Sequence, residues 1–136
     1  MAITTTITQA ELARVAAASY EGATYRISLG YKDTATLSAT STVAQWDAVK
    51  LSGNGYADIT GTITTGSYSS GNARYQLPQI DASFYADGGN WTYDTVYVVI
   101  THSGTSTLHS IIVENPSMTL VDGGGITYRI TLATDD

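Results

Sequence analysis

Three consecutive segments decide the fold: Trp91-Thr92-Tyr93-Asp94-Thr95-Val96-Tyr97-Val98-Val99-Ile100-Thr101, the polar break His102-Ser103-Gly104-Thr105-Ser106, and Thr107-Leu108-His109-Ser110-Ile111-Ile112-Val113. Both apolar runs are rich in β-branched and aromatic residues, which suit the pleated conformation, and the break carries a Ser-Gly pair suited to turning. The reading is an antiparallel hairpin. Alternation sends Val96, Val98 and Ile100 to one face of its first strand and Tyr93, Tyr97 and Val99 to the other, so both faces need cover and the strand is central. Each aromatic buried there hides roughly 150–250 Å², or about 4–6 kcal/mol gross at ~25 cal/mol/Å², before conformational entropy is subtracted.

Upstream, Ile3-Thr4-Thr5-Thr6-Ile7 reads as an extended arm. Thr8-Gln9-Ala10-Glu11 then forms a capping box that predicts a helix over residues 9–19, with Leu12, Val15 and Ala16 on one face and Gly22 at its stop. Residues 23–31 alternate, with Tyr25, Ile27 and Leu29 on one side and Thr24, Arg26 and Ser28 on the other, as a half-buried strand does. Residues 32–41 read as a loop, and 43–49 fit either a strand or one helical turn. Gly53-Asn54-Gly55 is a strong turn signal. A strand follows at 57–65, a Gly/Ser turn at 68–72, and a strand at 74–80 that Pro78 demotes to an edge or a bulge. After the hairpin, Asn115-Pro116 reads as a turn, 117–121 as a short strand, Asp122-Gly123-Gly124-Gly125 as a turn, and 126–132 as a last alternating strand. Short strands at roughly ten-residue spacing predict an all-β fold, an antiparallel β-sandwich of jelly-roll or Ig-like type with one short N-terminal helix. An arm and helix over 1–22 would precede a β-sandwich over 23–136, in a single domain.

The composition narrows function. Cysteine is absent, so no disulfide or thiolate chemistry exists, and 136 residues are enough to bury a core without such support. Only 13% of residues are charged, against about 25% in an average domain. A surface of hydroxyls costs less to desolvate than one of ions, which suits a subunit buried against neighbours. The net charge of −6 and the scattered basic residues argue against nucleic acid as a partner. The first residues lack a signal-peptide pattern and no apolar run is long enough to span a bilayer, so neither classical export nor a membrane partner is expected.

Chemistry-bearing residues are sparse. His102 and His109 flank the hairpin turn and could join Asp94 or Glu114 around a metal, but surface histidines on strand ends explain them more simply. Asp81, Asp87 and Asp94 lie near Gly-rich turns without calcium-loop spacing, and turn aspartates ordinarily bond their own backbone. No Gly-x-Ser-x-Gly elbow occurs, and the expectation is a protein without enzyme activity and without a cofactor. The ten tyrosines and two tryptophans offer more. Tyr25, Tyr97 and Tyr128 point inward by alternation, whereas Trp46, Tyr56, Tyr68, Tyr75 and Tyr85 lie in or beside loops and are candidate contact residues, together with Ile3, Ile7 and Leu12 of the N-terminal segment.

Trp46-Asp47-Ala48-Val49-Lys50-Leu51-Ser52-Gly53-Asn54-Gly55-Tyr56-Ala57, then Arg74-Tyr75-Gln76-Leu77-Pro78 and Tyr93-Asp94-Thr95-Val96-Tyr97-Val98-Val99-Ile100, with the closing pattern over 116–132, resemble a group of small tailed-bacteriophage virion proteins. Where that group commonly carries Arg after Gly-Tyr-Ala, this chain has Asp58. The resemblance implies location in the virion and a structural role, foremost as a capsid decoration or cement subunit. Its partners would be the major capsid protein or other virion proteins, within a homo-oligomer for which a trimer is common. The alternative is a tail fibre or adaptor subunit that binds a host glycan through loop tyrosines. The group brings no catalytic residues.

Overall fold

The computed structural model describes residues 22–63, 67–69 and 74–135, with side chains over 22–63 and 79–130. The predicted helix over 9–19 lies outside them. The described chain is mainly β and forms two antiparallel sheets. Its strands are β1 (Thr24–Gly30), β2 (Ile59–Thr62), β3 (Ser67–Ser69), β4 (Arg74–Tyr85), β5 (Trp91–His102), β6 (Thr105–Leu120) and β7 (Gly125–Asp135), with one short helix, α1 (Val43–Asp47), between β1 and β2. The four-stranded sheet has the order β2-β1-β5-β6 and the three-stranded sheet β3-β4-β7.

The β5–β6 hairpin turns at Ser103-Gly104 as expected, and β5 lies between β1 and β6. Both of its faces are covered. Val96, Val98 and Ile100 join Ile27 and Leu29 of β1, Ala82 and Phe84 of β4 and Ile130 of β7 in one core shared by the two sheets. Tyr97 and Val99 point the other way, onto Trp46 of α1, with Leu37, Val43, Val49, Leu108 and Ile111 around them. The small helix is therefore the lid over the outer face of the central strand. Thr42 and Gln45 cap it reciprocally, each side chain bonding the other's backbone amide, so within 43–49 the chain takes the helical turn, Val43–Asp47, rather than a strand.

Alternation misassigned Tyr93. It packs in the shared core with Val96 and Val98, because the β5–β6 register slips between Tyr93↔Met118 and Thr95↔Val113. Asp94 alone on β5 stands opposite residues 114–117 of β6, so the ladder is broken there and period-two facing does not carry across the break. The same irregularity corrects the expected turn at Asn115-Pro116: the chain bulges there but stays in β6 through Leu120. Proline is tolerated because β6 is an edge strand. Pro78 likewise coincides with the register shift between Gln76 and Gln79 on β4. Ser67–Ser69, at the start of the expected turn over 68–72, pairs instead as β3 with Arg74–Gln76.

Loops are locked across the molecule. Gly53, Asn54 and Gly55 all have positive φ, and this curl lets the Asn54 carbonyl accept from the Trp91 indole (3.0 Å) and the Asp87 amide (3.0 Å). Tyr56 is thereby set edge-on to Trp91, with centroids 5.3 Å apart, and parallel to Phe84. Gly61 has a different use. It is the register partner of Tyr25, whose ring lies across it where a Cβ would stand, and Tyr85 covers Gly125 in the same way on the other sheet. Gly61→Ala must evict the Tyr25 ring and is expected to cost about 1–2 kcal/mol in urea unfolding. In a Tyr25→Ala background the penalty should vanish, since the obstructing ring is gone.

Candidate functional site

Two polar assemblies stand out. The first covers the outer face of β1. The Arg26 guanidinium grips Asp47 with both terminal nitrogens (3.0 and 3.1 Å), bonds Ser28 Oγ (2.9 Å) and lies 5.7 Å from the Tyr97 ring centroid. Tyr97 donates to Asp47 (2.7 Å). Asp58 accepts from Tyr56 (2.7 Å), Ser28 (2.9 Å) and Lys50 (3.0 Å), while the Tyr56 hydroxyl itself accepts from the Leu29 amide (2.8 Å). Burial alone would push Asp58 up, yet the bonds from Tyr56, Lys50 and Ser28 outweigh it and hold the carboxyl below its usual range. Asp47 is lowered too: its burial is outweighed by Tyr97 and Arg26. Burial, with the neighbouring carboxylates, raises the Tyr56 and Tyr97 hydroxyls, which stay protonated as donors. Two cations meet two carboxylates and the hydroxyls between them are satisfied, so this assembly fastens α1 and residues 50–58 to the sheet and has little left to offer a substrate.

The second is a groove of about 350 Å³ where the β5–β6 ladder opens, lined by Tyr31, Lys32, Asp33, Asp94 and the bulged residues 113–117. Asp94 is 6% exposed and fixes one rim, accepting from the Lys32 and Asp33 amides (2.9 Å each) and from Thr95 Oγ1 (3.1 Å). Asp33 is thereby held at φ 50°, a conformation aspartate tolerates better than most residues. The other rim is tied down through Glu114, which accepts from the Tyr128 hydroxyl (3.1 Å); Tyr128 is in turn bonded to Tyr93 (2.8 Å). Tyr31 stands 37% exposed at the lip. The adjacent Asp33 carboxylate raises its hydroxyl's pKa, keeping it a donor.

Of the candidate contact residues with described side chains, Trp46, Tyr56 and Tyr85, none offers an exposed contact surface at either assembly. Trp46, expected beside a loop and available for contact, is instead wholly buried, stacked on Tyr97 with its indole bonded to the Ser38 carbonyl. Tyr56 is half-buried in the core and the polar network. Tyr85 is 66% exposed on β4. Tyr68 and Tyr75 are register partners across β3 and β4, with side chains outside the described residues, as are Ile3, Ile7 and Leu12 entirely. His102 and His109 bond the neighbouring Ser103 and Ser110, and among the described residues no group of three His, Cys, Asp or Glu side chains is placed to hold a metal. Of the three aspartates expected to bond their own turns, Asp94 instead accepts from the distant Lys32 and Asp33 amides and Asp81 from the Gln79 side chain. Sequence reading missed Arg26, Asp47, Asp58 and the whole groove; the one signal for the groove was Asn115-Pro116 inside an otherwise β-forming run.

No protein-family model, no curated protein and no solved structure matches this chain.

Proposed function

We propose that this chain is a structural subunit of a tailed-phage virion, a capsid decoration or cement protein of jelly-roll or Ig-like sandwich type that works through protein–protein interfaces. The observation that carries the reading is a set of exposed apolar side chains on the edge strand β6 and the turn after it: Ile112, Met118 and Val121. Ile112 and Met118 are register partners of Val96 and Tyr93 and share their inward face, so the fourth strand overhangs the smaller sheet with apolar groups in solvent. In a chain this poor in charge, such a set is an association surface. The sequence resemblance over residues 43–132 supplies the setting, and the occupant is a second copy or the shell protein.

Quantitative mass spectrometry of particles purified from the source tests this. A copy number near that of the main shell protein is the expected result, and Ile112→Lys with Met118→Lys should leave the fold intact while lowering incorporation about tenfold or more, as charges in an interface core do. Copy numbers one or two orders lower would move the subunit to the tail or its fibres. Absence from particles would overturn the reading.

A further inference from the structure

We propose that the groove between residues 31–33 and the β6 bulge is a saccharide-binding site, selective for neutral and amino sugars over acidic ones. The cavity is of a size to hold one or two sugar rings. Its chemistry is mixed. The Tyr31 hydroxyl and Lys32 ammonium donate, the Asp33 and Glu114 carboxylates accept, and the Asn115 amide and Ser117 hydroxyl do both. Among the described residues the Asn115 and Ser117 side chains make no hydrogen bond of their own, and Glu114 Oε2 has none beside that at Oε1. A lone cation, such as a partner's lysine, would call for acceptors only; alternating donors and acceptors around apolar surfaces from Tyr31, Val113 and Pro116 match a ring that carries hydroxyls on its rim and C–H groups on its faces.

Two further features favour this ligand. The rims are set before it arrives, one by Asp94 and the other by the Glu114–Tyr128–Tyr93 chain, and pre-set rims reduce the ordering cost that makes sugar binding weak. Asp33, Asp94 and Glu114 against Lys32 also leave the groove negative, so a uronic acid or other carboxylated sugar is repelled while an ammonium-bearing one is attracted. The groove's chemistry does not depend on where the subunit sits, and failure of the virion reading would leave it standing.

The test is a titration of the ¹⁵N-labelled full chain with glucose, galactose, N-acetylglucosamine, glucosamine, glucuronic acid and an oligolysine peptide, followed by amide shifts. The expected result is saturable binding of at least one neutral or amino sugar, with shifts centred on residues 31–33, 94 and 113–117, and glucuronic acid weaker by about tenfold. Tyr31→Ala, at an exposed position, should weaken that sugar about five- to tenfold. Asp33→Asn, which keeps the backbone conformation, should weaken glucosamine more than N-acetylglucosamine. No shift at the groove with any sugar up to about 20 mM, an undiminished affinity in Tyr31→Ala, or saturation by oligolysine alone would each overturn the proposal, the last in favour of a basic protein partner.

Discussion

Trp46→Ala is expected to destabilise the protein by about 3–5 kcal/mol, the range for removing a large buried aromatic. The reason is its place as much as its size. Trp46 is the one large side chain that α1 inserts under itself, stacked on Tyr97 at 5.6 Å, and its indole ties the helix to Ser38 at 3.0 Å. Truncation leaves a cavity over the central strand, removes the indole bond to Ser38, whose carbonyl keeps only the Ser41 amide (3.1 Å), and leaves Tyr97 unsupported. Thermal unfolding should show a midpoint lowered by about 10–15 °C. Trp46→Phe retains most of the stack and forfeits the indole bond, so its cost should be about 1–2 kcal/mol. Equal losses for the two variants would show that the lid is not held by the aromatic stack.

The second large effect is at Asp58. Asp58→Ala strips Lys50, Ser28 and Tyr56 of their common acceptor and leaves Arg26, 3.9 Å away, with less counter-charge. Complete burial of such a pair would make the loss about 3–5 kcal/mol; Asp58 and Lys50 are partly solvated, so about 2–3 kcal/mol is expected. The pH dependence separates charge from shape. Asp58 and Asp47 sit below their ordinary pKa in the folded protein, whereas unfolded aspartate titrates near ~3.9. The unfolded chain therefore binds more protons as pH falls through about 4, and the stabilisation present above that pH is lost below it. Asp58→Asn should lower stability at neutral pH and flatten the acid limb of the stability curve. An acid limb as steep as that of the unmodified protein would assign it to other carboxylates.

What could be read in the sequence followed from local rules. The Ser103-Gly104 hairpin, the two-faced burial of β5 and the curl at Gly53-Asn54-Gly55 each rest on residues whose preferences do not depend on distant partners. Tyr93 shows where such rules stop. Period-two alternation holds only along an unbroken ladder, and the interruption at Asp94 is fixed by what β6 presents opposite it, residues 114–117. Trp46 looked like a loop aromatic because its burial requires Tyr97, fifty-one positions later, as a floor. Residues 43–49 fitted a strand as well as a helical turn, and the Thr42–Gln45 cap that decides it shows only in the fold. The polar network was out of reach for the same reason: Arg26, Asp47, Asp58 and Tyr97 meet only once β1, β5 and α1 have assembled.

The bulge that opens the groove also bears on how this chain avoids uncontrolled growth into fibrils. β6 is 16 residues long, apolar in part and at the rim of its sheet, which is the profile of a template for endless strand addition. Its ladder, however, is regular only in three short lengths, interrupted at His109 and again at residues 114–117, where a proline stands. An incoming strand can zip along one length and must then stop, which confines edge-to-edge pairing to short, geometrically defined contacts.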